Sequence, residues 1–209
     1  MQAGTRRDEV MMHARAVIVR DGLDATSLRR IARAGGFTTG VLTHHFADKG
    51  ELIAACFQWT MADWLDRVEA DILRAPSAAE SLCRFVAIAV PHDSERHGEW
   101  RLWLNFVTRA ARDPQLADLL VEVDRRWEAI VAEALGRWRT AGLVEPQIPE
   151  VQQAAILARL GDGLGLRALV TGDWDEARSS FVAALVAMGL SGNLAEQALA
   201  PPAAHGAEP

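Results

Sequence analysis

Between Ala25 and Glu51 the chain reads ATSLRRIARAGGFTTGVLTHHFADKGE, and the spacing of its small polar side chains suits recognition rather than catalysis. Thr39 and Thr43, like Gly40 and His44, stand four residues apart, so on a helix they share one strip. Hydroxyl and imidazole groups both donate and accept hydrogen bonds, and glycine permits close approach. No carboxylate between residues 25 and 47 would repel phosphate. Such a strip fits the base edges of a DNA groove. Just beyond it, Asp48-Lys49-Gly50-Glu51 has the order of a capping box, which places Lys49 in a first helical turn beside free backbone N–H groups, as a phosphate clamp. Thr26 and Ser27, opening an earlier helix, offer hydroxyls that with Arg29 would hold a second phosphate.

Short helices must position these groups. Leu28, Ile31 and Ala32 form one apolar face with Arg29, Arg30 and Arg33 off it, and Ala34-Gly35-Gly36 supplies the break for a tight turn. Thr38 is placed to cap the next helix, and Phe37 stands four positions before the helical Leu42, the geometry of a hydrophobic staple. Leu42 and Phe46 then point inward and leave Thr39, Gly40, Thr43 and His44 outside. Before them, Val10, Met11, Ala14, Val17 and Ile18 make the stripe of an amphipathic helix from Arg6 to Asp21, ended by Gly22. Turn, staple and cap agree at helix-turn-helix spacing. The other reading is a small helical bundle whose Thr and Arg side chains are merely solvated.

The stretch GLDATSLRRIARAGGFTTGVLTHHFADKGEL resembles the DNA-binding signature of TetR-type transcriptional regulators, nearly position by position from Arg6 to about Phe57. The resemblance implies a three-helix head in which Thr26, Ser27, Arg29, Thr38, Thr39, Gly40, Thr43, His44 and Lys49 touch DNA. The chain departs from the pattern twice. The family most often has Tyr where Thr43 stands and frequently Lys where Thr39 stands, so one aromatic phosphate contact and one charge are absent. Lower operator affinity or an unusual sequence read would follow.

At 209 residues and 50% apolar, the chain suffices for one medium domain or for a small domain joined to a larger one. It has no run of about eighteen apolar residues and begins with the polar MQAGTRRDEV, so neither membrane insertion nor secretion is expected and the cytoplasm is the expected compartment. The net charge of −6 is unevenly distributed: residues 1–50 carry eight Lys or Arg against five Asp or Glu, and the remainder fourteen against twenty-three. A basic head on an acidic body is the pattern of a DNA reader with a separate regulatory part. Cys56 and Cys83 lie in helical patterns without the second pair a zinc site wants, and read as reduced core thiols. His44 and His45, being adjacent on a helix, point about 100° apart, poor geometry for one metal. Gly161, Gly163 and Gly165 form G-x-G-x-G inside a helix rather than after a strand, which fails the dinucleotide-binding context. No metal, cofactor or catalytic set is expected, and no enzyme.

After Lys49 a long helix runs to about Ala75 and is stopped by Pro76. Helical stretches follow at 78–90, 95–112, 114–141, 149–171 and 174–190, with no strand alternation. The expected fold is all-α with about nine helices: a helix-turn-helix domain over 1–48, an effector-binding and dimerisation domain over 49–190, and a flexible tail over 191–209, too poor in bulky apolar residues to fold alone. In the 149–171 stretch Ala154, Ala158, Gly161, Gly165 and Ala168 recur at alternating four and three spacing, so another helix can come close. Each helical glycine costs about 1 kcal/mol against alanine, which close packing must offset. That packing lies either within one subunit or, as we expect, at a homodimer seam where this helix and the one carrying Phe181, Leu185 and Met188 pair with their symmetry mates as a four-helix bundle. The TetR resemblance implies the dimer too.

Seven tryptophans and no tyrosine invite a ligand reading. Trp100, Trp103 and Phe106 on one helix, Trp127 on the next, and Phe85 and His92 before them would line a cavity for a small, largely apolar effector. The order WRLWLNFVTRAARDPQL resembles the regulatory domains of the BetI-type branch of the family, some of which answer to choline-like cations, and tryptophan faces attract quaternary ammonium groups. The expected function is a ligand-responsive transcriptional regulator, a repressor that binds a palindromic double-stranded operator as a dimer and is released by its effector. The alternative, of another class, is an all-α ligand-binding or interaction protein whose degenerate head no longer reads DNA.

Overall fold

Capping side chains and glycines cut the chain into helices. Ser77 accepts a hydrogen bond from the Glu80 N–H (3.1 Å) and Asp173 one from the Glu176 N–H (2.9 Å), each opening a helix. Gly36 (φ 66°) and Gly22 (φ 78°) adopt the left-handed backbone that ends or breaks one. The computed structural model describes residues 6–91, 94–145, 148–190 and 192–199. Among these it contains α1 (Arg6–Ala25), α2 (Leu28–Gly35), α3 (Thr39–His45), α4 (Lys49–Leu73), α5 (Ala78–Ala89), α6 (Ser94–Ala110), α7 (Pro114–Thr140), α8 (Glu150–Thr171), α9 (Trp174–Ala187) and α10 (Gly192–Leu199), and no strand. The all-α expectation holds, with ten helices described where about nine were expected.

The helices form two compact units, residues 6–64 with 101–123, and 65–100 with 124–199. The core of the first is the inward stripe of α1 (Val10, Met11, Ala14, Val17, Ile18) closed by Ile31, Leu42, Phe46, Leu52 and Phe57. Residues 101–123 add Leu102, Phe106 and Leu116, and the Phe57 and Phe106 rings meet at 4.6 Å. Burying one such ring stabilises the fold by roughly 1.5–3 kcal/mol.

In the second unit Phe85 is the centre, with its ring 6.0 Å from Trp127, 5.2 Å from Trp138 and 5.6 Å from Phe181. The buried Trp138 indole N–H donates to Ser81 Oγ at 3.1 Å, which satisfies the one polar atom it carries. Arg137 caps the end of α4 through the carbonyls of Ile72, Leu73 and Ala75. Part of the expected loose tail belongs to this unit: Gly192–Leu199 form α10, which packs on α9 and α5 and buries Leu194 and Ala198. Arg178, 2% exposed on α9, explains why. A buried guanidinium needs acceptors, and it donates to the carbonyls of Val90 (3.2 Å) and Ala198 (2.6 Å).

Between α7 and α8, Arg159 is shared by Glu128 (2.7 Å), Asp124 (3.6 Å) and Asp162 (3.8 Å). Burial, and then the neighbouring Asp124, pushes the Asp162 carboxyl up to about 7, although a third of the side chain remains exposed and water moderates the effect. The folded chain therefore keeps a proton there that the unfolded chain has lost, and this site's contribution to stability falls as pH rises from about 4 to 7. Asp162→Asn removes that dependence. Thermal unfolding at pH 5 and pH 8 should show the variant gaining on the wild type at pH 8 and matching it at pH 5.

Candidate functional site

The face of α3 opposite Leu42 and Phe46 carries Thr39, Gly40, Thr43 and His44, all exposed, with Thr38 exposed at its start. The strip expected from spacing is therefore a surface. Thr38 stands at the N-cap in extended backbone (φ −81°, ψ 153°) but makes no side-chain cap bond, so its hydroxyl stays available. Thr43 Oγ1 lies 3.3 Å from the carbonyls of Thr39 and Gly40, to which it donates within the helix. The His44 ring meets His45 edge-on at 5.1 Å. A Cβ built on Gly40 would come no closer than 3.7 Å to any neighbour, Thr38 Oγ1. Nothing inside the chain requires glycine there, which leaves the outer face as the reason for it.

Local bonds set the attitude of this strip. Phe37 packs against the head's core, with the His13 ring edge-on at 5.6 Å and the Arg6 guanidinium 4.9 Å over its face. The α4 capping box is present with a one-residue offset: Asp48 Oδ1 accepts from the Glu51 N–H (2.9 Å), while Glu51 Oε2 accepts from the Ala47 N–H (2.6 Å). Ser27 caps α2 by accepting from the Arg30 N–H at 3.3 Å, and Arg29 is exposed beside it.

Two expected phosphate contacts are placed otherwise. Thr26 is 2% exposed and its hydroxyl donates to the Gly22 carbonyl at 2.7 Å, so the side chain is used inside the fold. The half-buried Lys49 turns its ammonium to the carbonyls of Leu23 (3.0 Å) and Asp24 (3.5 Å) rather than to solvent. Sequence reasoning saw a cation at a helix start. It could not see that the kink at Gly22 leaves bare carbonyls within reach.

The six residues expected to line an effector cavity are not brought together. Phe85 and Trp127 pack on each other in the second unit, and Trp103 and Phe106 belong with the core of the first. His92 lies outside the described residues. Trp100 meets a partner that the sequence did not suggest: Trp174 stands edge-on to it at 6.3 Å, and His97 stacks on Trp174 at 4.0 Å and 9°. All three are half-exposed.

The expected dimer seam is also corrected. Ala154, Ala158, Gly161, Gly165 and Ala168 are all buried within one subunit, as are Phe181 and Leu185, with Met188 half-buried. A Cβ on Gly161 would lie 3.7 Å from Ala89 and 3.8 Å from Phe181, and one on Gly165 would fall 2.3 Å from the Trp100 ring. The small residues admit α5, α9 and Trp100 of the same chain. The face of α8 left open carries Ile156, Gly163, Leu166 and Val170, and α9 adds Val186; Val170 is 80% exposed.

Among the described residues no helix is long and apolar enough to cross a membrane, and no three His, Cys, Asp or Glu side chains are grouped to hold a metal. Burial pushes the Cys56 thiol up to about 12, which keeps it protonated.

Comparison with known proteins bears on both parts of the chain. Residues 11–56 match the family described as bacterial regulatory proteins, tetR family, and residues 78–191 match the BetI-type transcriptional repressor, C-terminal. The HTH-type transcriptional regulator BetI of Cronobacter sakazakii is 30% identical over 157 residues, 72% of this chain and 73% of that protein. The HTH-type transcriptional regulator PksA of Bacillus subtilis is 26% identical over 113 residues, 54% of this chain and 55% of its own. Among solved structures, a transcriptional regulator from Saccharomonospora viridis in complex with choline superposes with a TM-score of 0.78 at 22% identity, over 88% of this chain and 97% of that one.

Proposed function

Since the chain belongs to the TetR family of transcriptional regulators, with a BetI-type C-terminal part, we propose that it is a cytoplasmic repressor that binds a palindromic operator as a homodimer and is released by a small-molecule effector. The observation that carries the DNA reading is the α3 strip: Thr39, Gly40, Thr43 and His44 stand exposed on a helix whose other face is locked into the core. Residues 1–48 would read DNA, and 49–190 would bind the effector and dimerise. Trp100, Trp174 and His97 offer half-exposed aromatic faces to the effector, and the choline-bound relative makes a quaternary ammonium compound one class to test. Ligand and DNA would each favour one of two states of the dimer. A mobility-shift titration against the DNA upstream of its own gene tests this. A shift that small apolar or quaternary ammonium compounds reverse, while tryptophan emission changes in step, is the expected result. An unshifted duplex would favour the ligand-binding protein with a degenerate head.

For the dimer, the exposed rows of α8 and α9 are the surfaces that remain to be covered. A two-fold interface repeats every substitution, so Leu166→Asp with Val170→Asp removes four buried side chains at roughly 1.5–3 kcal/mol each. Dimerisation should weaken by more than about a hundredfold with the subunit still folded, read by sedimentation. A double variant that stays dimeric at micromolar concentration would place the seam elsewhere.

A further inference from the structure

We propose that Lys49 is a positioning residue, which locks the corner between α1 and α2 to the first turn of α4 and so fixes where α2 and α3 stand, instead of gripping a phosphate. The corner is a run of bare helix-end carbonyls. Gly22 (φ 78°, ψ 165°) breaks α1, and the last turn of that helix carries no basic residue of its own. Three side chains from elsewhere satisfy it in order. Thr26 Oγ1 donates to the Gly22 carbonyl at 2.7 Å, Lys49 Nζ to Leu23 at 3.0 Å and to Asp24 at 3.5 Å, and Arg30 to Ala25 at 2.9 Å.

Thr26 and Arg30 tie the corner to its own neighbourhood in the chain. Lys49 alone among the three reaches it from α4, across twenty-six residues. To meet a phosphate the ammonium would have to leave two carbonyls, which no other side chain named here could then satisfy. An ammonium bonded to α1 and rooted in α4 sets an angle, and the α3 strip can enter a groove only at the angle that its flanking helices allow. The inference rests on the DNA-reading function of the head.

The test has one arm that needs no DNA. Lys49→Met keeps the stem and loses the donors; in the full chain it should speed hydrogen exchange at the Thr26 and Arg30 amides about tenfold and leave the centre of α8 unchanged, and Lys49→Arg should restore most of the protection. Unchanged exchange in Lys49→Met overturns the proposal. On DNA from upstream of its own gene, Lys49→Met should bind about tenfold more weakly, lose less than twofold on an unrelated duplex, and keep the wild-type salt dependence. Equal loss on both duplexes, with the slope of log affinity against log salt reduced by about 0.9, would show a phosphate contact and overturn the proposal. If the wild type does not distinguish the two duplexes, it is the DNA-reading function that has failed, and the exchange arm still decides the lock. Should Lys49→Met not fold, exchange in the wild-type chain with and without duplex decides instead. Protection of the corner that persists on DNA supports the lock, and protection lost on DNA overturns it.

Discussion

Gly165→Leu should destabilise the second unit by about 3 kcal/mol, the upper part of the range for overpacked cores, and should not act by separating subunits. Three atoms of the Trp100 ring lie 2.3, 2.5 and 2.6 Å from where a Cβ would stand, before the rest of a leucine is added. The ring can yield only by pressing on Trp174, which is itself stacked on His97 at 4.0 Å. Leucine's helix propensity gives back less than about 1 kcal/mol, so the steric term decides the sign. Urea unfolding followed by Trp emission and by circular dichroism measures the loss, and sedimentation of the folded fraction tests the rest. A Gly165→Leu chain as stable as the wild type but monomeric would restore the small-residue row as the seam between subunits. Leu166→Asp with Val170→Asp, on the opposite face of the same helix, should show the reverse pattern of intact folding and lost association.

That row shows where a sequence stops speaking. Alternating four and three spacing of Ala and Gly states that something comes close to α8, and three glycines state that it comes very close. The spacing carries no sign of what approaches. Trp100 precedes Gly165 by sixty-five positions, and only the folded path brings them together. The α3 strip was legible for the opposite reason: Phe37, Leu42 and Phe46 are local, so their burial fixes which side of a seven-residue helix faces out. Helix ends were legible at Gly36, Ser77 and Asp173 because caps act within three or four residues.

Thr26 and Lys49 were misplaced because both serve carbonyls bared by the Gly22 kink, and a kink's direction cannot be read from the glycine that permits it. For α10 a signal did exist. Arg178 sits among Ala177, Phe181, Val182 and Leu185 on the buried stripe of α9, and a charge there demands acceptors. One of them, the Ala198 carbonyl, comes from the stretch whose composition suggested a loose tail.

His44→Ala should cost on the order of 1–3 kcal/mol on the best operator and much less on a half-site altered at the base it contacts. The imidazole is exposed on the strip, its ring is set edge-on against His45, and α3 carries no charged residue beside it. A side chain that hydrogen-bonds a base edge discriminates between bases; one that holds a phosphate cannot. Arg29 supplies the contrast, because it is exposed in the first turn of α2 next to the capping Ser27. Arg29→Ala should weaken binding to every duplex about equally and lower the slope of log affinity against log salt by about 0.9. Titrations of both variants against a set of single-base operator changes, at two or more salt concentrations, separate the roles. If His44→Ala weakens all duplexes evenly while Arg29→Ala changes which one is preferred, then reading is done from α2 and holding from α3, and the strip has been assigned the wrong task.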